Sequence, residues 1–250
     1  MQQRYIMQKN LHQSKVMSIM LSSSSIMSML VPIISAVLLI TIGWRAIFLI
    51  AGAIGFIIAI LYWKLVPKDR KVQSKEDSPI VKEILSKLLK MPVMWILVLA
   101  YFTIYAVIWG LNSWLPTYLT DVRNLDLLSI GWLQMIPGVI MILAMLLSGI
   151  LIDKLDFKVS KIIGAISAFL LAVFLLLMFN ANSITLFITY QCFVTLLMTF
   201  VVLLLPSFIL KKIPAEYGGT AMGMANTGGQ LAGFLTPTLI GMMVRSGFGL

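Results

Sequence analysis

The sequence predicts an all-α membrane protein of seven transmembrane helices, and three observations carry that expectation. The chain of 250 residues is 60% apolar and only 11% charged, too few charges to cover a soluble domain. Its mean hydropathy is +1.00. The charges also gather in short clusters separated by long uncharged stretches, a pattern of spans and connectors. Those stretches are continuously apolar and reach the ~20 residues that a helix needs to cross a bilayer. Barrel strands would be shorter and would alternate, and a helix satisfies its own backbone in lipid.

The spans are expected near 16–42, 45–64, 92–118, 129–152, 159–180, 183–206 and 217–244. The first carries the small residues Ser22 to Ser25, read as packing, and Pro32, which a membrane helix tolerates. A corner at Gly43-Trp44-Arg45 leads to the second span, which ends at Lys64. Residues 65–77 are polar and read as irregular. Ser78 then offers an N-cap and Pro79 a first helical position. Ile80, Val81, Ile84, Leu85, Leu88 and Leu89 share one face, with Lys82, Glu83, Lys87 and Lys90 largely off it. This is the pattern of a short amphipathic helix on a membrane surface. The alternative is an extension of the third span, against which Met91-Pro92 argues.

Polar groups inside spans are costly, so each is a candidate for function. The third span places Tyr101, Tyr105 and Trp109 on one face, with Asn112 three residues on. Such a face suits stacking and hydrogen bonding to a hydroxylated solute; the competing reading is an aromatic belt, which fits Trp114 and Tyr118 best. Gln134 precedes Pro137 in the fourth span, and Gln191, Thr195 and Thr199 share a face of the sixth. Threonine hydroxyls often bond back to their own helix, which leaves Gln191 as the stronger candidate of that face. Asn226 and Gln230 lie one turn apart in the last span, where a helix–helix hydrogen bond is the plainer alternative. No carboxylate or basic residue falls in the middle of any span.

Orientation follows from the basic residues. With the N-terminus inside, the inner segments 1–15, 64–90, 153–161 and 211–217 hold 16 of the 19 Lys and Arg residues. The outer side holds Arg45, Arg123 and Arg245. This is the positive-inside asymmetry, and it accounts for the net charge of +10 without nucleic acid. The N-terminus and residues 65–90 are thus expected in the cytoplasm, with the chain spanning the inner membrane several times. The opening MQQRYIMQKNLHQSK is too polar for the apolar region of a signal peptide. The single Cys192 excludes an intramolecular disulfide. There is no metal-ligand spacing, glycine-rich phosphate loop or nucleophile elbow, so neither an enzyme nor a metal or other cofactor is expected.

The first and last spans resemble each other. Superposing Pro32 on Pro237, an offset of 205 residues, brings Ser28 onto Gly233 and Ser22–Ser25 onto Thr227–Gln230. Parallel six-span repeats give such an offset in one class of transporter; two unrelated packed helices share small residues and a proline as well.

Several patches carry a family resemblance. Gly43-Trp44-Arg45 with Phe48, Trp114-Leu115-Pro116-Thr117-Tyr118-Leu119, Gly149-Ile150-Leu151-Ile152-Asp153-Lys154, and Tyr217 to Asn226 with Gly228, Gly229, Gly233, Pro237 and Gly241 follow one another in order. Together they resemble the major facilitator superfamily, in its organic-anion and sugar-acid symporter branch. The resemblance implies helices five to eleven of a twelve-helix fold, and therefore a fragment. Residues 1–64 would end the N-terminal bundle, 65–91 form the central cytoplasmic loop, and 92–250 most of the C-terminal bundle. It implies alternating-access transport of an organic anion or sugar acid with a coupled cation, taken as a proton. It implies a solute contact from Asn226, which makes that residue foremost among the candidate contacts Tyr101, Tyr105, Asn112, Gln134, Gln191, Asn226 and Gln230. It also implies a gate at Gly149, Asp153, Lys154 and Lys158. Asp156 and Phe157 depart from that gate's pattern, whereas Lys158 keeps it. A proton-coupled cycle would then need its titratable group in the absent first four helices, His12 lying in the tail. The alternatives are a drug efflux antiporter, whose glycine-rich fifth helix the stretch Ser28 to Ala36 lacks, and a non-transporting remnant.

Overall fold

A computed structural model describes the backbone of residues 2–65 and 81–246 and, within these, the side chains of 27, 30–65, 83–152 and 154–246. The described residues form α1 (Gln2–Leu65), α2 (Val81–Leu89), α3 (Pro92–Asp121), α4 (Leu127–Lys154), α5 (Phe157–Phe179), α6 (Ile184–Lys212) and α7 (Gly218–Arg245). A 3-10 turn, Ala215–Tyr217, precedes α7, and there is no strand among them. Expectations for the side chains of Ser22–Ser25, for the Ser78 cap and for Asp153 lie outside the described residues.

Two of the expected spans lie in α1, which breaks once at Gly43 (φ 76, ψ 163). That φ is left-handed, and a Cβ there would meet nothing within 4 Å. The glycine is therefore required by conformation and not by space. Trp44 packs edge-on to Phe48 at 6.4 Å, with the Arg45 guanidinium 5.0 Å above the indole. Segments 30–65, 92–121, 127–152, 157–179 and 184–212 are each long and apolar enough to cross a bilayer, and Gly43 divides the first of them in two. The α7 segment is not among these five. Its 28 residues suffice in length, but its seven glycines, Asn226 and Gln230 dilute its apolar character.

The main helix pairs are α3 with α7, α5 with α6, α1 with α4, and α4 with α6. One core cluster joins α2, α3, α5, α6 and α7 through Leu88, Met94, Tyr101, Leu171, Val194, Ile209 and Ala225. A second, around Leu119, Ile130, Met178 and Phe187, closes the opposite end of the bundle. The amphipathic helix α2 turns Ile84 and Leu88 onto the first cluster, leaving Leu85 and Leu89 exposed. Two of its four described apolar side chains are thus covered by protein. In α1, residues 32–36 sit against α4, where a Cβ on Gly131 would come 3.0 Å from the Ile33 Cα. Every residue from Phe48 to Leu65 is exposed.

Each end of the bundle is tied by its own contacts. At one end Lys212 stands 4.7 Å over Phe157, and Lys87 stands 5.8 Å over Tyr217 while pairing with Glu83 at 2.9 Å. The Glu83 carboxylate raises the pKa of the Lys87 ammonium. At the other end Arg123 donates to the Tyr118 hydroxyl at 3.0 Å and to the Ala181 carbonyl, joining two loops. Asp126 caps α4 by accepting from the Ser129 amide (2.9 Å) and hydroxyl (2.6 Å). Both bonds stabilise the charged carboxylate and hold its pKa below the ordinary value. Ser183 caps α6 through the Leu186 amide.

Candidate functional site

The α3–α7 seam is built from rings lying against glycines. The two helices run in the same direction, so successive turns of one meet successive turns of the other. A Cβ on Gly229 would come 3.0 Å from the Tyr105 ring, and one on Gly233 would come 2.9 Å from the Trp109 indole nitrogen. Further along, Trp114 lies against Gly241 and its indole N–H donates to the Pro237 carbonyl at 3.1 Å. Tyr101 and Tyr105 stack with centroids 5.9 Å apart. Tyr101 is 4% exposed, and its hydroxyl donates to the Met222 sulfur at 3.4 Å. Both tyrosines and Trp114 are given to this seam. Trp114 is therefore more than a member of an outer aromatic belt, and Tyr118 stacks on Phe187.

The α4–α6 seam is different. Gln134 and Gln191 face each other and exchange amide hydrogen bonds, Gln191 donating at 2.7 Å and Gln134 at 3.3 Å. They line a cavity of about 360 Å³ bounded by α1, α3, α4 and α6. Asn112 of α3, Pro32 of α1, Thr195 and Thr199 of α6, and Met141 and Met145 of α4 share its wall. Among the described residues none that lines it is charged. Gln191, Thr195 and Thr199 are buried, whereas Asn112 is exposed. The Thr199 hydroxyl bonds back to the Thr195 carbonyl at 2.7 Å. Pro137, one turn beyond Gln134, lines the cavity as well and has no N–H for the Leu133 carbonyl.

Three of the sequence-predicted residues, Asn112, Gln134 and Gln191, are thus brought together. Asn226 and Gln230 are not joined to them. They are exposed on α7, with Gln230 donating to Asn226 at 3.5 Å. Gly149 is exposed with open space where a Cβ would be, and Lys154 and Lys158 are exposed at the turn between α4 and α5. Among the described residues no group of His, Cys, Asp and Glu is placed to hold a metal. A roomier groove of about 440 Å³ lies between α3, α5, α6 and α7, lined by Trp114, Tyr118 and Phe187 among others. Its walls hold none of the seven candidate solute contacts, so volume alone does not identify the site. The sequence reading took Pro32 only as a proline that a span tolerates and did not place it at the cavity.

Comparison with known proteins decides the family. Residues 8–237 match the Major Facilitator Superfamily. The chain belongs to this family. It is a multi-pass membrane protein. A relative in Escherichia coli (strain K12), named "Probable galactarate/D-glucarate transporter GarP", is 24% identical over 81% of this chain and 52% of its own length. "Probable sulfoacetate transporter SauU" of Cupriavidus necator is 26% identical over 86% of this chain and 54% of its own. The "Cis,cis-muconate transport protein" of Acinetobacter baylyi is 26% identical over 82% and 51%. The chain spans about half the length of these curated relatives. Their names share small organic acids.

Proposed function

We propose that this chain serves a secondary active transporter, not an enzyme, that moves a small organic acid across the membrane by alternating access with a coupled cation. The observation that carries the reading is the cavity between α4 and α6, where Asn112, Gln134 and Gln191 converge in the body of a helical bundle. Its volume suits a small acid, and Pro32 brings the wall of a preceding helix to it. The named relatives support an acid as the solute. Asn226 and Gln230, exposed on α7, are assigned to a part of the solute path that the described helices do not close.

The division into residues 1–64, 65–91 and 92–250, the cytoplasmic placement of the N-terminus and of 65–90, and the inner membrane are parts of the same proposal. Lys212, Lys154, Lys158 and Lys87 then mark the inner face. Gly149, Asp153, Lys154 and Lys158 form its gate. The coupling cation is a proton, and among the described residues none that lines the cavity is an Asp, Glu, His, Lys or Arg.

Uptake of labelled D-glucarate into vesicles carrying the protein tests the reading. Accumulation under an imposed pH gradient, abolished by an ionophore, is expected. Flux indifferent to the gradient would remove the coupled proton, and no flux above empty vesicles would remove transport.

A further inference from the structure

Resting on the organic-acid reading, we infer that Gln134 and Gln191 form a hydroxyl-recognition subsite. Solute hydroxyls replace the bonds that the two amides make to each other. The cavity thereby distinguishes polyhydroxylated acids from acids of the same length without hydroxyls.

The argument rests on donor and acceptor counts. Each carboxamide has two N–H donors and an oxygen with two lone pairs. The reciprocal pair, at 2.7 and 3.3 Å, engages one donor and one acceptor on each side. Paired in this way neither amide is orphaned, which is the condition for keeping two such groups inside a membrane bundle. A hydroxyl entering one of the two bonds accepts from its N–H and donates to its oxygen, so two hydroxyls of one solute replace the whole exchange. A carboxylate only accepts. It satisfies the N–H groups and strands both amide oxygens, and among the described residues the wall offers no cation to compensate its charge. The pair therefore matches the neutral, hydroxylated part of a solute, and the charged end is held elsewhere.

One neighbour extends the same chemistry. Asn112 lines the same cavity and makes no side-chain hydrogen bond among the described residues, so its amide is free for a solute. A pure helix–helix contact needs neither a cavity nor this additional group.

A site built for a hydroxyl rejects the analogue lacking it by large factors when its polar groups are left unpaired. Here the amides can pair with each other again, so the preference is smaller, about tenfold or more. The test is titration calorimetry of the purified chain in lipid nanodiscs. The probes are D-glucarate and adipate, which share the carbon chain and the terminal carboxylates and differ in the hydroxyls. D-glucarate is expected to bind about tenfold or more tightly than adipate. In Gln134→Leu/Gln191→Leu, which removes both amides while conserving volume, that advantage disappears. Helical circular dichroism and a melt close to the parent's show that the variant folds. Single Gln134→Ala and Gln191→Ala variants each reduce the D-glucarate advantage.

Equal binding of the two diacids by the unaltered chain would overturn the subsite and leave the organic-acid reading standing. So would an advantage that survives in the double variant. Binding of neither diacid would remove the organic-acid reading and the subsite with it.

Discussion

Along α3 and α7, the rings of Tyr105, Trp109 and Trp114 lie against Gly229, Gly233 and Gly241; along α4 and α6, two glutamines meet beside a cavity. Both seams join long helices of one bundle, and both contain residues that are costly to leave alone in lipid. The first satisfies them by shape. Glycine removes the side chain from one helix, and an aromatic ring occupies the space. The second satisfies them by hydrogen bonding and keeps room beside the pair. A polar or aromatic residue in a span is thus a functional candidate only once the opposite helix is known.

The largest expected effect belongs to the closed seam. Gly233→Leu must place its Cβ about where the Trp109 indole lies, since that atom alone would be 2.9 Å away. Overpacking of this kind costs ~1–3 kcal/mol and more where a rigid ring cannot move. The variant should melt well below the parent in detergent, as followed by circular dichroism. If it melts with the parent, the seam is looser than described and the contrast between the two seams weakens.

A middle-sized effect is expected at the polar seam. Gln191→Leu leaves the Gln134 amide without its partner and should cost about 1 kcal/mol. The double Leu variant should recover most of that loss, because removing both partners leaves nothing unpaired. This non-additivity is the signature of a hydrogen-bonded pair. Additive losses in the same melts would show that the two amides do not depend on each other.

The smallest effects probe the edges of the aromatic seam. Trp114→Phe removes the indole bond to the Pro237 carbonyl, about 0.6 kcal/mol for a typical interhelical bond. Tyr101→Phe removes only a hydroxyl bonded to the Met222 sulfur, a weak acceptor, and should change stability less still. An inverted order would move the anchoring of α3 on α7 from the tryptophan to the tyrosine.

Most of the fold was legible because lipid imposes it. The expected span 129–152 became Leu127–Lys154, and the corner at Gly43 broke α1 in two. α4 begins two residues before the expected 129, where Asp126 supplies the cap, and α6 begins at Ile184, just after the Ser183 cap. The site was less legible. Gln134 and Gln191 are 57 residues apart, and nothing local to either says that the two helices face each other. Tyr101 and Tyr105 shared a face as expected, but periodicity does not say whether that face meets a solute or another helix. One available signal was passed over. Gly229 and Gly233 repeat at the same spacing as Tyr105 and Trp109, which two helices running the same way can match turn by turn.

The measurement that tests the account most directly is solute protection at the cavity wall. With Cys192 replaced by Ala, Asn112→Cys places a thiol on that wall, and Ala232→Cys places one on the closed α3–α7 side, where Ala232 is fully buried. Maleimide labelling in membranes is followed with and without D-glucarate. The account predicts that D-glucarate slows labelling at position 112 and leaves the slow labelling at position 232 unchanged. Rapid labelling at 112 that D-glucarate does not alter, together with protection at 232, would contradict it.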